Sequence, residues 1–112
     1  MLPLSMTAVV ARNELWQNHS TTEPYECGWA KEAIVYLRAL KHPTRTENVR
    51  ARIEFSPDGI RWVDSGLDFA LPTQTDELSW ISVNQFGNWL RVAVDLPPEA
   101  AITVLVSIHL KA

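Results

Sequence analysis

The segment at residues 48–64, NVRARIEFSPDGIRWVD, constrains the fold more than any other part of the chain. Apolar and polar residues alternate through its first half, which is the period of a strand with one buried face. The apolar set is Val49, Ala51, Ile53 and Phe55, and the polar set is Asn48, Arg50, Arg52 and Glu54. Residues 56–59 (SPDG) then supply turn chemistry, because proline presets φ, aspartate bonds the backbone ahead of it and glycine accepts a positive φ. We therefore predict a tight β-hairpin whose return strand begins at Ile60.

Five other segments are also predicted to be strands from their residue patterns. Strands are predicted at residues 7–12, 32–40, 77–83, 89–96 and 102–110. Residues 32–40 (EAIVYLRAL) contain helix formers, but Ile34, Val35 and Tyr36 favour a strand, which we expect to be buried on both faces. Residues 13–24 are polar and predict a long loop or a broken edge strand.

The two C-terminal runs carry the clearest aliphatic stripes. We expect residues 89–110 to form a hairpin that places nine inward aliphatic side chains on one sheet. With turns between all these segments and no convincing helix, the chain is predicted to be all-β. We expect one domain over residues 1–112, an antiparallel β-sandwich of jelly-roll type with about eight strands.

The net charge and the N-terminal residues bear on where the protein is located and what it binds. The net charge of −3 argues against nucleic acid, whose binders need a concentrated basic face. Residues 1–10 are apolar but lack a positive n-region and are too short to span a bilayer, so they read as an N-terminal strand. We expect no membrane partner and a cytoplasmic or virion-associated location.

Signatures of chemistry are missing from the sequence. Nucleophilic catalysis needs a Ser, Cys or Thr beside a base, but there is no G-x-S-x-G elbow. The histidines, His19, His42 and His109, read as solvated, and Cys27 is the lone cysteine. No H-x-H or C-x-x-C pair and no glycine-rich phosphate loop is present. We therefore expect a protein that is not an enzyme and needs no cofactor or metal.

The five tryptophans are the more informative group. Trp29 and Trp62 are expected to pack in the core or at its rim. Trp89 falls on the face opposite an aliphatic stripe, and Trp16 falls in the polar segment. An outward tryptophan can be a sugar-stacking platform, a subunit contact or a patch covered by a loop, and we favour the last two. The candidate binding residues, for a protein interface or a sugar, are Trp89, Arg91, Arg50, Arg52 and Trp16.

Two family resemblances rest on the hairpin. The SPDG turn with Trp62 after it, together with Trp89-Leu90-Arg91-Val92 and a closing apolar strand, resembles small β-sandwich structural proteins of tailed phages and prophages. The likeness covers residues 32–112 and implies a structural role in a virion, in head decoration or at the tail. The same hairpin is similar to discoidin-type, galactose-binding-like jelly rolls, although the chain is short for that family and lacks its cysteine pair.

These observations predict a non-catalytic structural or interaction module. Its partner is expected to be protein, either another copy of the chain or a virion component. The alternative is a carbohydrate-binding module of galactose-binding-like type, with a glycan as ligand.

Overall fold

Nine β-strands make up the regular structure of the chain in the computed structural model, which describes residues 4–112. The strands are β1 (Ser5–Trp16), β2 (His19–Thr21), β3 (Tyr25–Glu26), β4 (Glu32–Ala39), β5 (Arg50–Ser56), β6 (Val63–Ala70), β7 (Leu78–Asn84), β8 (Trp89–Asp95) and β9 (Ile102–Lys111). The first strand therefore extends beyond the predicted residues 7–12 in both directions. Residues 1–3 of the apolar N-terminal run lie outside the described residues.

Two antiparallel sheets share these strands. Sheet I has the order β1-β9-β4-β7, and sheet II has the order β2-β8-β5-β6, with β3 also paired to β8. The chain passes from one sheet to the other at every connection except β2–β3 and β5–β6. The predicted all-β antiparallel sandwich is confirmed.

The core lies between the two sheets and is dominated by β8 and β9. Both predicted aliphatic stripes point inward, and each of their residues is buried. On β8 and its end these are Leu90, Val92, Val94 and Leu96, and on β9 they are Ile102, Val104, Val106, Ile108 and Leu110. Burying one such side chain stabilises the fold by roughly 1.5–3 kcal/mol.

The predicted hairpin between residues 89 and 110 is wrong. β8 pairs with β5, β2 and β3 in sheet II, whereas β9 lies between β1 and β4 in sheet I. The two aliphatic stripes therefore face each other across the core and do not share a sheet. Alternation shows that a strand has one buried face, but it does not say which strand lies beside it.

Strand β4 is buried on one face only, which corrects the prediction of burial on both. Alternate residues from Ala33 to Ala39 point into the core, while Ile34 and Tyr36 are partly exposed and Arg38 is exposed. A two-layer sandwich covers only the inner face of each sheet. The apolar side chains on the outer face of β4 are thus left at the surface.

The polar segment at residues 13–24 is partly strand. β1 continues to Trp16, and the short edge strand β2 lies within the segment, so the broken-strand alternative is confirmed there. The placement of Trp16 in a loop is wrong, because it ends β1 and is 2% exposed in the core. Its Nε1 donates to Glu14 at 3.3 Å, which satisfies the buried indole.

The predicted β-hairpin joins β5 to β6. Ser56 Oγ accepts hydrogen bonds from the amides of Asp58 (3.2 Å) and Gly59 (2.8 Å), and Gly59 has a φ of 78°. Asp58 Oδ1 accepts from the amides of Ile60 and Arg61, both at 2.9 Å. These bonds extend the turn beyond the expected four residues, so β6 begins at Val63 and not at Ile60.

Candidate interaction surfaces

The outer face of sheet II gathers four of the five residues predicted to bind. In the β5–β8 register Glu54 lies opposite Arg91 and Ser56 lies opposite Trp89. Arg50 and Arg52 occupy the same face of β5, whereas Trp16 is in the core. The sequence placed the outward face of this hairpin correctly.

A continuous chain of hydrogen bonds and ion pairs crosses this face. It joins His19, Asp95, Arg52, Glu54 and Arg91, which we call the charged network. His19 Nδ1 lies 2.6 Å from Asp95 Oδ1, and Arg52 donates to Asp95 at 2.7 Å and to Glu54 at 2.9 Å. Arg91 Nε donates to the other oxygen of Glu54 at 2.7 Å. Arg52 and Glu54, two residues of the predicted polar face of β5, are therefore paired with each other and with neighbouring charged groups.

Glu54 is the buried centre of the charged network, with 8% of its surface exposed. Burial by itself would raise the pKa of Glu54, but hydrogen bonds from Arg91 and Arg52 outweigh it and hold that pKa below its ordinary value. Hydrogen bonds from His19 and Arg52 lower the pKa of Asp95 in the same way. Both carboxylates are thus held in the charged form by their partners.

The tryptophans on this side cover the hairpin. The Arg91 guanidinium carbon lies 4.3 Å from the centroid of a Trp62 ring, which is a cation–π contact. A Cβ added to Gly59 would lie 3.3 Å from the indole of Trp89, so that ring packs directly on the turn. Arg50, at the far end of β5, pairs with Asp68 at 2.8 Å. The side chains proposed for a partner are committed to contacts within the chain.

The outer face of sheet I carries apolar and aromatic side chains among polar and charged ones. The strand registers place side chains of neighbouring strands in rows across the sheet. One row contains Val9, Ser107, Tyr36 and Trp80, and the next contains Arg12, Leu105, Arg38 and Leu78. Trp80 is 59% exposed and Leu78 is 51% exposed, both on the edge strand β7.

A small cavity adjoins the aromatic rows. It measures about 160 Å³, and Ile34, Ser82, Asn84 and His109 are among its lining residues. The His109 ring packs edge-on against Tyr36, with centroids 4.9 Å apart. Its nitrogens face the hydroxyls of Thr7 (3.3 Å) and Ser107 (3.5 Å). Since no carboxylate of residues 4–112 is hydrogen-bonded to this imidazole, the arrangement does not have the base–orienter geometry of a nucleophilic site.

The lone cysteine lies buried in the core. Burial raises the pKa of the Cys27 thiol to about 12, with a further contribution from Glu26, so this cysteine stays protonated near neutral pH. Within residues 4–112 no group of three or more metal-ligating side chains is arranged to hold an ion. The same residues contain no helix long and apolar enough to cross a membrane.

The apolar and aromatic side chains on the outer face of sheet I were not predicted, although the alternation of residues in β4 and β7 indicates them. Ile34 and Tyr36 alternate with buried residues on β4, and Leu78 and Trp80 alternate with the partly buried Ser79 and Ile81 on β7. The apolar character of both faces of β4 was interpreted as double burial. In a two-layer sandwich the same pattern indicates a face that another molecule can cover.

Comparison with known proteins identifies the fold and goes no further. No protein-family model and no curated protein matches the sequence. The structure is similar to that of the SPBc2 prophage-derived protein YomS, with a TM-score of 0.64 and 10% identity over 100% of this chain and 96% of that one.

Two further structures resemble this one less closely, with TM-scores below 0.5, and we conclude nothing about the chain from them. PirA aligns at a TM-score of 0.47 and 11% identity, over 96% of this chain and 93% of that chain. A structure of Bacillus endospore appendages, described as disulfide-linked pili, aligns at 0.43 and 13%, over 97% and 82% of the two chains. What the comparisons establish is that this chain has the all-β fold of the prophage-derived protein.

Proposed function

We propose that the chain is a non-catalytic structural module that works by binding protein, either copies of itself or a component of a phage-like virion. The observation that carries the proposal is the uncovered aromatic face of sheet I, with Trp80 at its edge. Exposed apolar patches of this kind mark interaction surfaces in soluble proteins. The fold shared with a prophage-derived protein supports the virion setting.

The fold itself suits this role. We propose one domain over residues 1–112 and a jelly-roll type of sandwich, since the chain alternates between the sheets at nearly every connection. The predicted sheet II residues become stabilising rather than binding groups in this proposal, because their charges are already paired. Nothing favours the carbohydrate alternative, as Trp16 is buried and Trp89 packs on Gly59.

Self-association is tested by multi-angle light scattering coupled to size exclusion, over a concentration series from micromolar to millimolar. We expect a mass above that of the 12.7 kDa monomer, rising with concentration. A strict monomer at the highest concentration would remove the self-binding form of the proposal. The location of the gene among capsid and tail genes tests the virion setting separately.

A further inference from the structure

We infer that the partner on sheet I is a second copy of this chain, paired edge to edge through β7 in an antiparallel, two-fold arrangement. This inference rests on the proposed function and specifies its surface. The pairing would join two four-stranded sheets into one continuous sheet, with main-chain hydrogen bonds across the junction.

Strand β7 lacks the charged residues, prolines and bulges that normally protect the edge of a sheet from pairing. Its sequence, LSWISVN, contains no charge, proline or glycine, and its register with β4 is regular over all seven residues. Within residues 4–112 it pairs with no strand except β4, and its remaining backbone groups have no other backbone hydrogen bond, although β6 of sheet II lies nearby. An open, uncharged edge rich in strand-forming residues is a template for pairing with another chain.

The other edges are protected by comparison. β1 has register shifts at Val10 and at Asn13, which break the regular row of edge groups. β6 contains Asp64 and Asp68 and has a shift of its own against β5, and β2 is three residues long. Among the described edges, β7 is therefore the one suited to pairing.

Pairing of β7 with a second β7 over its full length would also bring the projecting Trp80 side chain of each copy to a cavity of the other. With Leu78–Asn84 centred on Ile81, Trp80 lies directly opposite Ser82 of the partner subunit, on the same outer face. Ser82 lines the cavity of about 160 Å³ beside Ile34. Its small side chain leaves room for the incoming indole, and the two-fold repeats the contact on the other copy.

The charged residues of β4 that flank β7 fit the same two-fold pairing. In the same register Leu78 lies opposite Asn84 of the partner subunit. Arg38 neighbours Leu78 and Glu32 neighbours Asn84 on β4. Each Arg38 thus shares a row with Glu32 of the partner subunit at about three strand spacings, roughly 14 Å, while like charges lie at opposite ends of the interface. Arg38 already pairs with Asp76 at 3.5 Å, so the flanking charges are compatible with the two-fold and add no new ion pair.

The test compares single substitutions on the two edges of sheet I by sedimentation equilibrium. Trp80→Lys removes the projection and adds a charge to β7, and Ser82→Asp places a charge at the cavity. We expect each to raise the dimer dissociation constant by at least about tenfold. Val9→Lys is the matched control, since Val9 is an exposed apolar residue on the opposite edge strand β1. It should leave the dissociation constant unchanged.

Cysteine cross-linking tests the register. Ile81→Cys lies at the two-fold and should form an inter-subunit disulfide with oxidised glutathione, because facing Cα atoms are about 4.5–5.5 Å apart. Ser79→Cys, on the same face of β7, is displaced from its own copy across the axis and should not cross-link. The native Cys27 is fully buried and does not compete.

The results of these experiments distinguish β7 pairing from the broader proposal of self-association. A wild-type oligomer that survives both β7 substitutions, or that Val9→Lys disrupts equally, would overturn β7 pairing and leave self-association standing. A strictly monomeric wild type would overturn both β7 pairing and self-association, and would leave binding to a virion component as the remaining form of the proposed function. Far-ultraviolet circular dichroism of each variant verifies that the substitutions act on association and not on folding.

Discussion

Arg91 joins the two halves of the hairpin side of the sandwich: its Nε donates to Glu54 at 2.7 Å while its guanidinium lies over the Trp62 ring. Glu54 is on β5, and Trp62 immediately precedes β6. One cationic side chain on β8 therefore neutralises a buried carboxylate and covers an aromatic ring. The sequence predicted a binding role for this residue, and the structure shows its guanidinium in contact with Glu54 and Trp62 of the same chain.

Arg91→Met tests that role. The substitution keeps much of the apolar stem but leaves Glu54 with Arg52 as its only cationic partner, so we expect a loss of about 2–3 kcal/mol in the free energy of unfolding. Urea denaturation measures the change. Arg50→Met is the matched control, because its pair with Asp68 is half-exposed and should contribute less than about 1 kcal/mol. Equal effects of the two substitutions would contradict the assignment.

The charged network also predicts a pH dependence. The pKa of Glu54 is lower in the folded protein than its ordinary value of 4.5, so the unfolded chain takes up the proton first as the pH falls. Stability from this group is complete above the unfolded pKa and is lost as the pH falls through the folded pKa. Glu54→Gln should show a flatter stability profile than the wild type below pH 5, measured by urea denaturation at several pH values. Parallel profiles would show that Glu54 is not coupled to folding.

Gly59 is expected to be more sensitive to substitution than Gly66. Its φ of 78° disfavours a side chain, and an added Cβ would meet the Trp89 ring at 3.3 Å. Gly66→Ala is a close control, since Gly66 has a φ of 86° but no neighbour within 4 Å of an added Cβ. Each substitution should cost about 1–2 kcal/mol for the backbone, and Gly59→Ala about 1 kcal/mol more. Thermal unfolding measures the difference, and its absence would mean that Trp89 moves away freely.

Val94→Asp should abolish soluble expression. Val94 is fully buried on the face of β8 that meets sheet I, and an unpartnered carboxylate there costs more than about 4 kcal/mol. Such a loss approaches the whole stability of a typical domain. Thr103→Asp, on the outer face of β9, should remain soluble in the same expression assay. Soluble, folded Val94→Asp protein would show that the faces of β8 are assigned wrongly.

The elements most accurately predicted were those in which alternation and turn chemistry agree. The faces of β8 and β9 followed from alternating side chains, and the position of the β5–β6 turn followed from the residues at 56–59. What alternation does not encode is which strands pair. The connection after Asp95 could return along the same sheet or cross to the other one, and the crossing depends on packing that no local pattern records.

The candidate site was less predictable, for a related physical reason. Outward residues on β5 and β8 were identified correctly, but their ion pairs depend on register between strands distant in sequence. Trp16 and Trp80 illustrate the limit: the tryptophan in a polar segment is buried, and the one not singled out is exposed. Burial of a large aromatic is decided by the layer that covers it, not by its neighbours in the chain.

The position of β9 between β1 and β4 has a consequence for synthesis. Thr7 and His109 lie side by side in the sheet but are 102 positions apart in the chain. On a ribosome that adds about 5–20 residues per second, β1 would wait roughly 5–20 s for its partner. During that interval it is an unpaired strand that neighbouring nascent chains could capture. The register shifts at Val10 and Asn13 belong to the ladder between β1 and β9, so the protection that they give to this edge begins only when β9 has docked.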